Sequence, residues 1–150
     1  MTSSAQAAAA FLDHLVGHWE LTGQMGQTPL RQIVEARWRL GGLFVELYFK
    51  SLLPTPDGRP PYEAVYFVGY SDASDQYTLH LLDTFGVSGD CHVGRARRAG
   101  EALPFVFQYA SGPFTNRFQW EADGPAWSFE QTYLQAGQTR VFATKRMVRR

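Results

Sequence analysis

Apolar residues recur at every second position through most of this chain from Trp19 onward, and at every third or fourth position only before Gly17. The two spacings demand different backbones. Alternation buries one face of a β-strand, whereas a 3.6-residue spacing buries one stripe of a helix. The chain therefore has one helix, placed at the front. Ser3 or Ser4 can cap it, Ala5 to Ala10 are helix formers, and Ala8, Phe11, Leu12, Leu15 and Val16 fall on one stripe. Gly17 tolerates positive φ and ends the segment, which spans about residues 4–16.

The strands follow in quick succession. Trp19, Leu21 and Met25 alternate with Glu20, Thr22 and Gln24; Val34, Ala36, Trp38 and Leu40 alternate with Ile33, Glu35, Arg37 and Arg39. Gly41-Gly42 makes a tight turn into Leu43, Val45, Leu47 and Phe49, and a proline-rich loop runs from Pro54 to Pro61. Tyr62 to Tyr70 is apolar on both faces, so its outer side calls for a cover, either the helix or a second subunit in a homodimer. Tyr77 to Leu82 follows a turn. Glycines break up the stretch from Asp83 to Gly100, where two short strands, Phe85–Val87 and Cys91–Arg97, are expected. Pro104–Tyr109, Phe114–Glu121, Trp127–Leu134 and Arg140–Val148 complete the series, with Pro104, Pro113 and Pro125 near strand starts.

Nine or ten strands with no second helix leave no parallel crossover, so the sheet is antiparallel. A sheet of that width curls, and closing it removes both edges. The expected fold is all-β, an antiparallel up-and-down lipocalin-like barrel with a short N-terminal helix. It forms a single domain over residues 1–150, with the barrel at about 18–148.

Composition narrows the function. Fourteen basic and fourteen acidic residues cancel, which removes the attraction that drives binding to nucleic acid or to an anionic membrane surface. Arg95, Arg97 and Arg98, and Lys145, Arg146, Arg149 and Arg150 at the tail, read as solvated strand ends. Cys91 is the only cysteine, so there is neither an internal disulfide nor a zinc cage of several thiolates. Met1 to Ala10 has no basic residue and no long apolar run, and nothing approaches the ~20 apolar residues of a membrane span. These readings place the protein in the cytoplasm, with no cofactor and no metal expected.

Few residues offer chemistry. His14 and His18 have the spacing of a helical metal pair, but Gly17 between them makes them diverge. His92 follows Cys91, and adjacent strand residues face opposite ways. No nucleophile elbow or phosphate-binding glycine loop occurs. His80 sits mid-strand with Thr78 and Leu82 on its face and points either inward, as a donor or base, or outward. Glu46 and Glu63 serve as acid or base if they point inward, and form a solvated outer face otherwise. Aromatic residues make up 15% of the chain and crowd the expected strands. They either fill the interior or line a pocket with a few polar tips.

The segment Leu15-Val-Gly17-His-Trp19-Glu-Leu-Thr-Gly23 resembles the opening of calycin-type barrels, which share Gly-x-Trp after a short helix. That resemblance implies a tryptophan closing one barrel end under a basic residue of the last strand, with Arg140, Lys145 and Arg146 as candidates. Arg39-Leu-Gly-Gly42-Leu-Phe-Val-Glu46, Val68-Gly-Tyr-Ser-Asp72, Gln76-Tyr77 and Leu82-Asp83-Thr84 are similar to the DUF1579 family of bacterial lipocalin-like barrels. The likeness runs from about Leu12 to Gly89 and implies ten strands around a cavity, without implying a reaction. Nitrobindins open similarly and hold haem through a histidine near the C-terminus; no histidine follows His92 here.

The sequence therefore points to a barrel that binds a small apolar or aromatic molecule, with Trp38, Tyr66, His80, Tyr109, Asn116 and Trp120 as the expected lining. The alternatives are an acid–base enzyme of isomerase or cyclase type in the same barrel, using His80, Glu46 or Glu63, and a filled barrel that serves as a protein-interaction module.

Overall fold

The structure is a computed structural model that describes residues 3–55, 57–87 and 92–150. It is an all-β, antiparallel up-and-down barrel of ten strands with one short helix. In chain order the elements are α1 (Ser4–Asp13), β1 (Gly17–Met25), β2 (Thr28–Arg39), β3 (Phe44–Ser51), β4 (Glu63–Ser71) and β5 (Gln76–Asp83). They continue with β6 (Val93–Ala96), β7 (Ala102–Tyr109), β8 (Gly112–Glu121), β9 (Ala126–Gln135) and β10 (Gln138–Arg149). Each strand pairs with its sequence neighbours, and β1 pairs with β10 to shut the ring.

Ser3 caps α1 through a reciprocal box. Its hydroxyl accepts from the Gln6 amide at 3.1 Å, and the Gln6 side chain accepts from the Ser3 amide at 2.9 Å. The helix ends at Asp13, short of the expected residue 16. Beyond it the bonds tighten to three-residue steps, Leu15 to Leu12 at 2.9 Å and Val16 to Asp13 at 3.1 Å. The reason lies in the carbonyls that follow. His14, Leu15 and Val16 each offer an oxygen to a side chain of the barrel. The Trp127 indole donates to His14 at 3.0 Å, Trp19 to Leu15 at 2.8 Å and the Arg149 guanidinium to Val16 at 3.0 Å. The carbonyls a helix leaves unpaired at its C-terminus thus become the points that fix α1 across one barrel end.

Arg149 also stacks over Trp19, 4.3 Å from the ring centroid. The cation over the closing tryptophan is therefore Arg149, and neither Arg140, Lys145 nor Arg146. Register decides this, because Arg149 is the β10 partner of Trp19. Gly17 leaves room for it, since a Cβ there would lie 2.5 Å from the Arg149 guanidinium.

Between Asp83 and Gly100 the structure departs from expectation. Phe85–Val87 forms no strand. The Asp83 carboxylate accepts from the Phe85 amide at 3.0 Å, and the Asp83 carbonyl from Gly86 at 3.0 Å, which turns the chain. β6 covers only Val93–Ala96, and Cys91 lies outside the described residues. Arg98 leaves the sheet to place its guanidinium 3.8 Å over the Phe11 ring of α1. The helix crosses the barrel end and leaves the outer face of β4, with Val65 and Phe67, half-buried among its strand neighbours. Outward positions elsewhere carry ion pairs, Arg31 with Glu20 at 3.0 Å and Arg146 with Glu121 at 3.0 Å. A wall so charged faces water. No helix among the described residues is long and apolar enough to cross a membrane.

The seam between β1 and β10 is close at Gly23. A Cβ on Gly23 would fall 2.1 Å from the Thr144 carbonyl oxygen and 2.8 Å from the Lys145 Cα. Gly23→Ala is expected to cost about 2–4 kcal/mol in urea denaturation. Gly124→Ala, with only an Arg146 side-chain nitrogen 3.8 Å away, is expected to stay within about 0.5 kcal/mol of the parent. Equal stability of the two variants would contradict the close seam.

Candidate functional site

The two ends of the barrel differ. At the helix end Phe11, Leu12, Leu15, Trp19 and Trp127 are fully buried and form a seal. Trp120 stacks on His14 with centroids 4.5 Å apart and leans on Trp127 at 5.2 Å. The Trp38 indole donates to the Asp13 carboxylate at 2.9 Å. Trp38 and Trp120 are in phase with the inner face, as expected, but α1 occupies both. Both side chains form part of the seal through their contacts with α1.

Away from the helix the inner face turns polar. Inward positions there, such as Tyr62, Leu81, Asp83, Tyr109, Phe114 and Tyr133, are half-buried, so this is the end that solvent reaches. Tyr66 of β4 is buried, with its ring 4.5 Å from Phe49 and 6.4 Å from Phe118 on β8. Asn116 of β8 hydrogen-bonds the Tyr66 hydroxyl and leaves its own Oδ1 without a partner. Gln131 of β9, also buried, is the register partner of Asn116. Gln32 of β2 is buried too, and its Oε1 has no partner. Two buried, unpaired oxygens inside one barrel are costly unless something donates to them.

The acidic group at this end is the Tyr62–Asp83 pair, in which the hydroxyl donates to the carboxylate at 3.1 Å. Burial first, and then the neighbouring Tyr66 and Asp83, push the Tyr62 hydroxyl well above the usual tyrosine range. Burial, Asp83 and Tyr109 raise Tyr66 likewise. Both hydroxyls therefore stay protonated at neutral pH and act as donors. Tyr109 completes this group, half-buried and stacked on Phe107 at 6.0 Å. A groove of about 390 Å³ opens at the rim beside it, lined by Pro113, Phe114, Tyr133 and Phe142 among others.

The basic side is Lys145. Its register partners are Gly23 on β1 and Phe129 on β9, and Phe129 is a core residue, so Lys145 shares the inner face. Burial lowers its pKa from 10.5 to about 8, with no charged neighbour contributing. No carboxylate among the described residues forms an ion pair with it. The chain has two lysines, and the other, Lys50, is exposed on β3.

The three acid–base candidates stand elsewhere. His80 is exposed on the outer wall, with its ring 6.1 Å from Phe44, because Tyr77, Leu79 and Leu81 take the inner phase of β5. It lines nothing. Glu46 faces outward between Arg37 at 3.8 Å and Arg39 at 3.4 Å. Glu63 also faces outward and accepts from the Tyr48 hydroxyl, which raises the Tyr48 pKa. Of the expected lining, the structure brings together Tyr66, Tyr109 and Asn116. Sequence reasoning missed Gln32, Tyr62, Asp83, Gln131 and Lys145. Gln32 is in phase with Val34 and Ala36, and Asp83 with Leu79 and Leu81, so the parity signal was present. For Lys145 it was obscured, because the ladder slips between Val141 and Ala143 and the phase changes there.

Fold and site together define a ten-stranded lipocalin-like barrel, sealed by a helix at one end and lined with polar groups in its other half. No protein-family model matches the chain, and no curated protein matches it in sequence.

Lys145→Met should raise the melting temperature by about 2–4 °C at pH 7, since a half-buried ammonium without an ion-pair partner is partly desolvated and methionine fills similar volume. The pH dependence has a definite sign. Between pH 8 and 10 the unfolded chain holds the Lys145 proton that the folded chain releases, so wild-type stability rises with pH in that window. The variant should lack this rise in thermal melts. A less stable variant, or one with the same slope, would show that Lys145 is solvated.

Proposed function

We propose that the barrel binds a small, largely apolar molecule in the half of its interior away from the helix, and that binding, not catalysis, is its output. One observation carries this reading. Gln32 Oε1 and Asn116 Oδ1 are buried without partners among rings that include Phe49, Tyr66, Phe105 and Phe118. An apolar wall with a few convergent polar tips is the usual form of a small-molecule site. The likeness of the Gly-x-Trp opening and of the Arg39–Glu46 segment to DUF1579 barrels supports the same reading, with the protein as a cytoplasmic member of that bacterial family. The enzyme alternative loses its support, because Glu46, Glu63 and His80 all stand on the outer wall.

Titration with N-phenyl-1-naphthylamine, an uncharged dye that fluoresces in apolar surroundings, tests the proposal. A saturable one-to-one emission increase is expected. Leu81→Trp, which fills the interior from β5, should weaken it by about tenfold or more, with far-UV circular dichroism confirming that the variant folds. Absence of saturable binding, or equal binding by the variant, would contradict an internal site.

A further inference from the structure

Lys145 is the charged group that the proposed apolar site does not require, and this inference rests on that site. We infer that the ligand carries a carboxylate, which pairs with the Lys145 ammonium, and an aryl or alkyl body, which lies along Phe105, Phe118 and Phe129.

Register and burial carry the assignment. Lys145 lies in one lateral row with Phe129 and Phe118, and the adjacent row toward the solvent-reached end is Ala143, Gln131, Asn116. On its other flank Gly23 has no side chain, and beyond it on β2 stands Leu30. Lys145 therefore stands in an aromatic row, beside a row that carries two neutral amide side chains, Gln131 and Asn116. Its inward neighbours in register and along β10, Gly23, Phe129, Ala143 and Met147, include no acid. The interior carboxylate, Asp83, stands across the barrel on β5 and accepts from Tyr62. An ammonium half-buried without an ion-pair partner has given up part of its hydration, and an anion beside it replaces that loss with a charge-assisted hydrogen bond.

The chemistry selects a monoanion. Lys145 supplies one positive charge, and the twelve arginines contribute none to this row. A phosphate dianion would bury an uncompensated charge. A carboxylate accepts from the ammonium with one oxygen and from an amide N–H of Gln131 with the other. The ring-lined wall then takes the rest of the molecule.

The test compares 2-naphthylacetate with its neutral isostere 2-naphthylacetamide by isothermal titration calorimetry at pH 7. Lys50→Met serves as a control for charge on the outer wall. The wild type and Lys50→Met are expected to prefer the carboxylate by about tenfold or more, and Lys145→Met to lose that preference. Equal affinity of the wild type for both probes, with N-phenyl-1-naphthylamine still bound, would overturn the carboxylate assignment and leave the apolar site standing. A preference that survives in Lys145→Met would also overturn it, assigning the charge to another residue. Failure of all three probes to bind would overturn the assignment together with the site.

Discussion

The rest of the structure depends on the pairing of β1 with β10. Nothing else joins the first strand to the last, and without it the sheet would be open, with two edges of unpaired amides and carbonyls. The pairing runs from Trp19 with Arg149 to Met25 with Ala143. It brings three consequences into one seam. The Arg149 guanidinium reaches both Trp19 and the Val16 carbonyl, which seats the helix. Gly23 lets the two backbones approach closely. Lys145, beside Gly23, is directed into the ring.

The helix end and the far end divide the labour of the interior. At the helix end, two indoles and one guanidinium satisfy three successive carbonyls, and the surrounding rings pack to exclude water. This is an apolar seal built around fully paired polar atoms, the condition under which buried polar groups add rigidity. In the other half the condition is not met by the protein alone. Gln32 and Asn116 present buried oxygens without donors, and the half-buried Lys145 has no ion-pair partner among the described residues. Such groups cost stability unless a ligand meets them, and that cost is the basis of the proposed site.

Alternation along the strands made the architecture legible. One helix followed by strands joined by hairpin-length turns leaves few arrangements, and a closed antiparallel ring is the one that hides every edge. The same alternation identified Tyr66, Tyr109 and Asn116 as inward. It misplaced His80, whose strand offers apolar residues in both phases, so composition could not choose the face; the larger set, Tyr77, Leu79 and Leu81, took the interior. It also misjudged Trp38 and Trp120, which have the right phase at the wrong height. Phase says which way a side chain points and not how far along the barrel it lies, and height depends on the stagger between strands. The irregular stretch after Asp83 escaped because an aspartate turn replaced an expected strand. The interior lysine escaped because a bulge changes the phase of β10 just before it.

The account's central claim is that the barrel encloses a polar space into which Lys145 points. Because the chain has only two lysines, a heteronuclear NMR titration of lysines carrying a 13C label at Cε resolves both, with Lys50 as the internal reference. The account predicts a Lys145 midpoint near pH 8, well separated from that of Lys50. Coincident midpoints near the ordinary lysine value would place the Lys145 ammonium in bulk water and contradict the claim.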